Sequence, residues 1–277
     1  MSDALISLIT ALADDELILG HRHSEWTGFT PHIEEDVAFS SIAQDEIGHA
    51  TAYYELICEI TGDNPDRLGL GRDKHEYRNA VLCERKNQDW AFTLARHWLY
   101  DTADELRLEA LEATSHEKLR SLVHKMRREE RYHLLHADAW MKRIAEGPVD
   151  GRSRLIEALH DAFSEALGLF EPIENEQEAV AEGWLPVGST ELGKRFEQRT
   201  VEAFDTLRLP PEIGAGADRS AEFVASSSGD LIETSAAERA PVTQAGLGGR
   251  RGEHSADFDQ LWDDLTYTYR HNPGATW

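Results

Sequence analysis

Along most of this chain apolar residues recur in alternating steps of three and four, the period of a helix that buries one face. Four stretches sustain the pattern, at about 3–24, 33–62, 87–113 and 116–146. The first inward stripe reads Leu5, Ile9, Leu12, Glu16 and Leu19, the second Phe39, Ile42, Glu46, His49, Tyr53, Leu56 and Ile60. The third reads Leu94, Trp98, Asp101, Glu105 and Leu108, the fourth Leu119, Val123, Met126, Glu130, His133, Ala137, Trp140 and Ile144. Breaker residues around Pro31 and a weakened pattern at Thr114-Ser115-His116 predict two antiparallel hairpins. The longer connection over 63–86 is the crossover of a ferritin-like bundle rather than of a simple up-and-down one. The expected fold is all-α, a ferritin-like four-helix bundle with additional C-terminal helices.

Beyond the bundle, a fifth helix is expected from Pro148-Val149-Asp150-Gly151 to Leu169, and a sixth over about 190–206. From Pro210 to about His254 the chain turns rich in Ala, Gly, Ser and Glu with little apolar periodicity, which predicts a mobile or partner-ordered segment. Helical spacing returns over 257–270 through Phe258, Leu261, Trp262 and Leu265. The organisation expected is a bundle domain over 1–208, a low-complexity insertion over 209–255, and a C-terminal helix and tail over 256–277 that docks on the bundle or a partner.

The stripes carry polar residues where a core is expected. Glu46-Ile47-Gly48-His49 and Glu130-Arg131-Tyr132-His133 each place a Glu and a His on one helix face. Glu16 and Glu46 are equidistant from Pro31, and Asp101 and Glu130 flank the second turn symmetrically, so folding each hairpin sets its two acids at one height. Four carboxylates and two imidazoles, those of Glu16, Glu46, His49, Asp101, Glu130 and His133, therefore point into one core. Unpaired, each would cost several kcal/mol, a cost that a pair of cations removes. His and carboxylate donors suit two iron ions, with manganese as the other option.

The Glu-x-x-His pattern alone is weak, since roughly one or two matches arise by chance in a chain this rich in both residues. A third match, Glu157-Ala158-Leu159-His160, has no mirrored acid and reads as surface. A hydrogen-bonded polar core without metal is the alternative to a ligand set. Asp45, Asp104, Glu105 and Glu129 each compete as the residue that turns inward. His21, His23, Asp45, Glu129 and His136 are the candidates to orient the imidazoles, because a ligating His donates its other N–H to an acceptor.

Charge narrows the partners. The 28 basic and 52 acidic side chains leave a formal charge of −24, which repels nucleic acid and anionic membrane surfaces and favours a partner with a basic face. The paucity of Lys relative to Arg suits a solvated surface at high salt, and a high-GC coding bias gives the same excess. Cys58 and Cys83 do not make a disulfide framework. The apolar opening lacks a basic flank and is interrupted by Asp14, Asp15 and Glu16, and no run of about 18 uncharged apolar residues occurs, so a cytoplasmic protein is expected. Gly246-Leu247-Gly248-Gly249-Arg250-Arg251-Gly252 has no following Lys-Ser/Thr and no preceding strand, which argues against a phosphate loop and for tail docking.

Several stretches resemble the phenylacetic acid catabolic protein family. They are Leu17-Ile18-Leu19-Gly20-His21-Arg22 with Ser24-Glu25-Trp26-Thr27-Gly28, Glu35-Asp36-Val37-Ala38, Ala95-Arg96-His97-Trp98-Leu99-Tyr100-Asp101 and Arg131-Tyr132-His133. Gly248-Gly249-Arg250-Arg251-Gly252-Glu253-His254 and the last residues, Pro273 to Trp277, add to them. The resemblance spans about 4–208 and 246–277. It implies a component of a multicomponent oxygenase of phenylacetate catabolism, a ring 1,2-phenylacetyl-CoA epoxidase. Such a complex comprises a catalytic A subunit with a diiron centre, a related C subunit, a small B subunit and a flavin/iron–sulfur reductase, acting on a CoA thioester. The terminal residues point to the C branch, regarded as a scaffold without a working metal site and commonly apolar or amide-bearing at the second and third ligand positions. In this chain all six positions match the catalytic relatives. Three other readings remain: a self-sufficient diiron oxygenase acting on another CoA thioester, a non-catalytic scaffold, and a ferritin-like iron- or peroxide-handling protein.

Overall fold

A computed structural model describes residues 3–214, 246–272 and 275, and among these there is no strand. Four long helices form the bundle: α1 (Asp3–Ser24), α2 (Ile33–Thr61), α5 (Trp90–Leu111) and α6 (Glu117–Ala145). Between the hairpins the crossover contains two short helices, α3 (Pro65–Leu70) and α4 (Val81–Glu84). Then come α7 (Val149–Ala166), α8 (Glu176–Ala181), α9 (Ser189–Thr206) and, after the undescribed 215–245, α10 (Ala256–His271). The expected helix positions hold to within a few residues. Start signals explain two of them, since the Asp89 carboxylate accepts from the amide of Phe92 at the head of α5, and His116 Nδ1 accepts from Leu119 at the head of α6.

α1 packs against α2 and α5 against α6, while α7 and α9 lie along α5 and α10 sits over α3 and α4. This covering makes α1 and α5 inner helices, buried on almost every side, whereas α2 and α6 each keep one face in solvent. The burial reaches Asp14 and Asp15, which follow no apolar stripe. Asp14 is held by Arg72, and Asp15 by Arg107 and Arg250.

At three places the structure departs from the periodic pattern. Spacing puts Glu105 in the inward stripe, but it is only part-buried and its carboxylate faces Arg127, while Asp104 turns inward. Trp140 and Ile144 are only half-buried because the buried row at the end of α6 runs through Ala137, Met141 and Ala145 instead. The fifth helix begins at Val149, so Asp150 and Gly151 lie inside it, and it gives way after Ala166 to a 3-10 turn, Leu167–Phe170. Most of the expected insertion, 215–245, and all but Ala275 of the tail 273–277 lie outside the described residues. No described helix is long and apolar enough to cross a membrane.

Candidate metal centre

The six residues that hairpin symmetry sets at matching heights are all buried at one level of the bundle: Glu16 from α1, Glu46 and His49 from α2, Asp101 from α5, Glu130 and His133 from α6. Glu130 is the hub. Its Oε1 lies 3.2 Å from His49 Nδ1 and 3.1 Å from His133 Nδ1, and His49 Nδ1 is also 3.4 Å from Glu16 Oε2. Glu16, His49 and Glu130 offer donor atoms that all lie within 4.8 Å of one another.

Behind the donors stands a ring of orienting groups. His49 Nε2 meets Glu129 Oε2 at 2.8 Å and His133 Nε2 meets Asp45 Oδ2 at 3.3 Å, so each imidazole turns Nδ1 inward and offers its outer nitrogen to a carboxylate. Asp45 and Glu129 are 38% and 39% exposed, which places this side of the cluster nearest to solvent. His23 Nδ1 holds Glu46 Oε2 at 2.9 Å, and the Tyr100 hydroxyl donates to Glu16 Oε1 at 2.8 Å. Of the five expected orienting residues, Asp45, Glu129 and His23 touch the cluster directly. His136 stands one layer away, 3.4 Å from His97 Nε2 and 2.8 Å from Glu35, and His21 makes no hydrogen bond to the cluster.

Tyr100 and His97 are cluster neighbours that the stripe pattern does not single out. Both belong to the stretch ending at Asp101, and His97 Nδ1 lies 3.1 Å from Asp101 Oδ2, one turn away on the same helix. That i, i+4 spacing is the signal that marks His97 in the sequence. Glu157 and His160, the unmirrored match, are exposed on α7, with His160 at 71%.

The electrostatics follow from packing acids together away from water. Burial, reinforced by the charge of Glu16, pushes the Glu46 carboxyl well above its usual range. Burial and the charge of Glu130 do the same to Asp101. For His49 burial works against the charged ring, yet the facing carboxylates of Glu130 and Glu16 outweigh it and hold the imidazolium up to about 11. His133, opposed likewise by burial but facing the Glu130 charge, is held up to about 12. Burial drives His23 and His97 the other way, well below the usual imidazole range.

Whether a metal fits can be judged from atoms left without partners. Glu16 Oε2, Glu46 Oε1, both oxygens of Asp101, Glu130 Oε1 and His133 Nδ1 are buried and make no hydrogen bond of acceptable geometry among the described residues. Buried polar atoms are ordinarily satisfied; four of these six face an opposite group of the cluster or His97 at 3.1–3.4 Å, and Glu46 Oε1 and Asp101 Oδ1 face none, an arrangement that suits a ligand set. The donor types, carboxylate oxygen and imidazole nitrogen, are those of di-metal carboxylate bundles.

Two comparisons with known proteins give matches. The family model described as phenylacetic acid catabolic protein matches residues 1–222. The chain is also similar to the C subunit of the 1,2-phenylacetyl-CoA epoxidase of Escherichia coli (strain K12), with 25% identity over 268 residues, 96% of each chain.

Proposed function

Because the chain belongs to the phenylacetic acid catabolic protein family, we propose that it is the C-type subunit of a 1,2-phenylacetyl-CoA epoxidase and that it holds two metal ions of its own. The subunit role is supported by similarity over nearly the whole length of the Escherichia coli relative. The metal site is supported by one observation, the convergence of six buried carboxylate and imidazole side chains, five of which carry an atom with no well-formed hydrogen bond. Glu16, Glu46, His49, Asp101, Glu130 and His133 would hold the ions, with Glu130 between the two imidazoles. Iron in such a set supplies dioxygen chemistry. Around it this chain's residues perform supporting tasks: Asp45 and Glu129 fix the imidazole tautomers, while His23 and Tyr100 restrain Glu46 and Glu16. A catalytic partner subunit, a small subunit, an electron-delivering reductase and a CoA-thioester substrate complete the proposed assembly.

A second reading has its own observation. With His49 and His133 both held as imidazolium by Glu130, the cluster can balance its charge without metal, as a scaffold would. Metal content per chain of the protein purified alone, measured by mass spectrometry, separates the two. About two irons per chain, lost in the double variant E46A/H133A, is the expected result. Folded, metal-free protein with no uptake on adding ferrous iron would leave the scaffold.

A further inference from the structure

The Gly-Gly-Arg-Arg-Gly turn near the C-terminus reaches into the interior of the bundle. Gly249–Arg251 forms a 3-10 turn between Gly248 and Gly252, both at positive φ. A Cβ on Gly249 would run into the carbonyl of Asn79, and one on Gly252 into that of His75, so the turn lies flush on the crossover. From it the Arg250 side chain enters the core. Nη1 donates to Asp15 Oδ1 at 2.9 Å and to the carbonyls of Arg78 and Ala11 at 2.6 and 3.2 Å. Nη2 donates to Asp15 Oδ2 at 2.7 Å and to the carbonyl of Leu169 at 3.1 Å. The two-pronged grip on one carboxylate is the geometry that a guanidinium makes and an ammonium cannot.

Asp15 does not end the chain of contacts. Its Oδ2 also accepts from Arg107 Nη1 at 2.6 Å, and Arg107 Nη2 donates to Asp104 Oδ1 at 2.8 Å. A buried ladder, Arg250–Asp15–Arg107–Asp104, thus joins the C-terminal segment to α1 and α5. Asp15 precedes Glu16, and Asp104 is three residues after Asp101 on the same helix. The inward oxygens of Glu16 and Asp101 face His49 and His97 at 3.4 and 3.1 Å without a well-formed hydrogen bond, and none links the two carboxylates to each other. Their separation is therefore set by how α1 lies against α5, which two ties govern at this height: Tyr100 to Glu16, and Arg107 to Asp15.

We propose that Arg250 is a positioning residue for the carboxylate–imidazole cluster. By gripping Asp15 it holds α1 in register with α5 through Arg107, and so sets the separation of Glu16 from Asp101. Without it, the Ala80 amide, which donates to Asp15 Oδ1 at 2.8 Å, would be the main group opposing the pull of Arg107, and α1 would shift toward α5. The consequence for metal uptake rests on the metal-centre reading, whereas the consequence for α1 and α5 does not.

The test uses the full chain as wild type, R250M, R250K, and F163L, a core change in α7 at a ring that packs on Phe196 and Phe204 of α9. Two readouts are taken: hydrogen exchange of metal-free protein over 12–20 and 98–107, and the visible absorption bands of protein titrated with cobalt(II) alone. In R250M, exchange over both stretches speeds up relative to wild type, the cobalt bands shift, and cobalt affinity drops about ten- to hundredfold. R250K, which keeps the charge but loses the fork, shows the same changes to a smaller degree and stands in if R250M does not fold. F163L lowers the melting temperature without moving either readout. Wild-type exchange and wild-type bands in both Arg250 variants overturn the proposal, as does an F163L protein that reproduces their changes. If wild-type protein takes up no cobalt, the metal-centre reading fails and exchange alone decides the positioning role, in the same two directions.

Discussion

Asp45 and Glu129 sit where a single oxygen decides the orientation of a ring. Each is about two-fifths exposed, and each faces the outer nitrogen of an imidazole whose inner nitrogen points at Glu130. Replacing either carboxylate by its amide keeps size and shape but removes the charge that favours an inward-facing lone pair on Nδ1. D45N and E129Q are each expected to weaken metal binding by about ten- to hundredfold, with the far-ultraviolet dichroism unchanged because both side chains are partly in water. Competition titration against a chromophoric chelator measures this. Undiminished affinity in both variants would mean that the imidazoles are held by packing alone. Glu105 is the contrasting residue, since its carboxylate faces Arg127 on the outer side of the bundle, and E105Q should leave metal affinity at the wild-type value.

At the scale of elements, α1 comes close to α2 at Gly20, one turn beyond Glu16. A Cβ there would lie 2.9 Å from Ile47 Cγ1, 3.1 Å from Glu46 Cβ and 3.2 Å from the Ile47 amide nitrogen. Only the Ile47 methylene can yield, while the other two belong to the helix frame that carries the Glu46 carboxylate. Alanine gains up to about 1 kcal/mol of helix propensity, against overpacking of about 1–3 kcal/mol, so G20A should be less stable by about 1 kcal/mol and misplace Glu46. Chemical denaturation reads the first effect and metal affinity the second; a G20A protein as stable as wild type would show that α2 slides freely along α1. The helices themselves are legible because their stripes are long and periodic, and the burial of the six clustered acids and imidazoles because they fall in those stripes, with hairpin symmetry matching Glu16 to Glu46 and Asp101 to Glu130. Burial of Asp14 and Asp15 was not legible. Their partners Arg72, Arg107 and Arg250 stand 58, 92 and 235 positions away, and no local periodicity announces a charge neutralised from such distances. Choosing Asp104 over Glu105 likewise depended on Arg107, whose other arm goes to Asp15.

Across the whole molecule, the crossover is clamped between the bundle and α10, and Tyr77 is its pivot. Fully buried, its hydroxyl donates to the carbonyl of Gly69 at 2.6 Å, its ring lies 5.5 Å from that of Phe258, and the Arg72 guanidinium stands 4.2 Å from its centroid. The carbonyl of Arg72 in turn accepts from Trp262 and Arg270 of α10. Burial raises the phenol far above its ordinary value, and the Arg72 charge offsets only part of that. In the unfolded chain the same phenol ionises near pH 10. The neutral form is thus favoured by folding, and the stability it confers is fully present below about pH 10 and lost as pH rises toward the folded value, at about 1.4 kcal/mol per pH unit. The comparison that isolates it is wild type against Y77F, since every other titrating group is common to both. Their difference in unfolding free energy should be constant up to about pH 10 and then move against the wild type by that slope. A difference that stays flat up to about pH 11.5 would mean that Tyr77 reaches solvent without unfolding, and that α10 lifts from the crossover while the bundle stays intact.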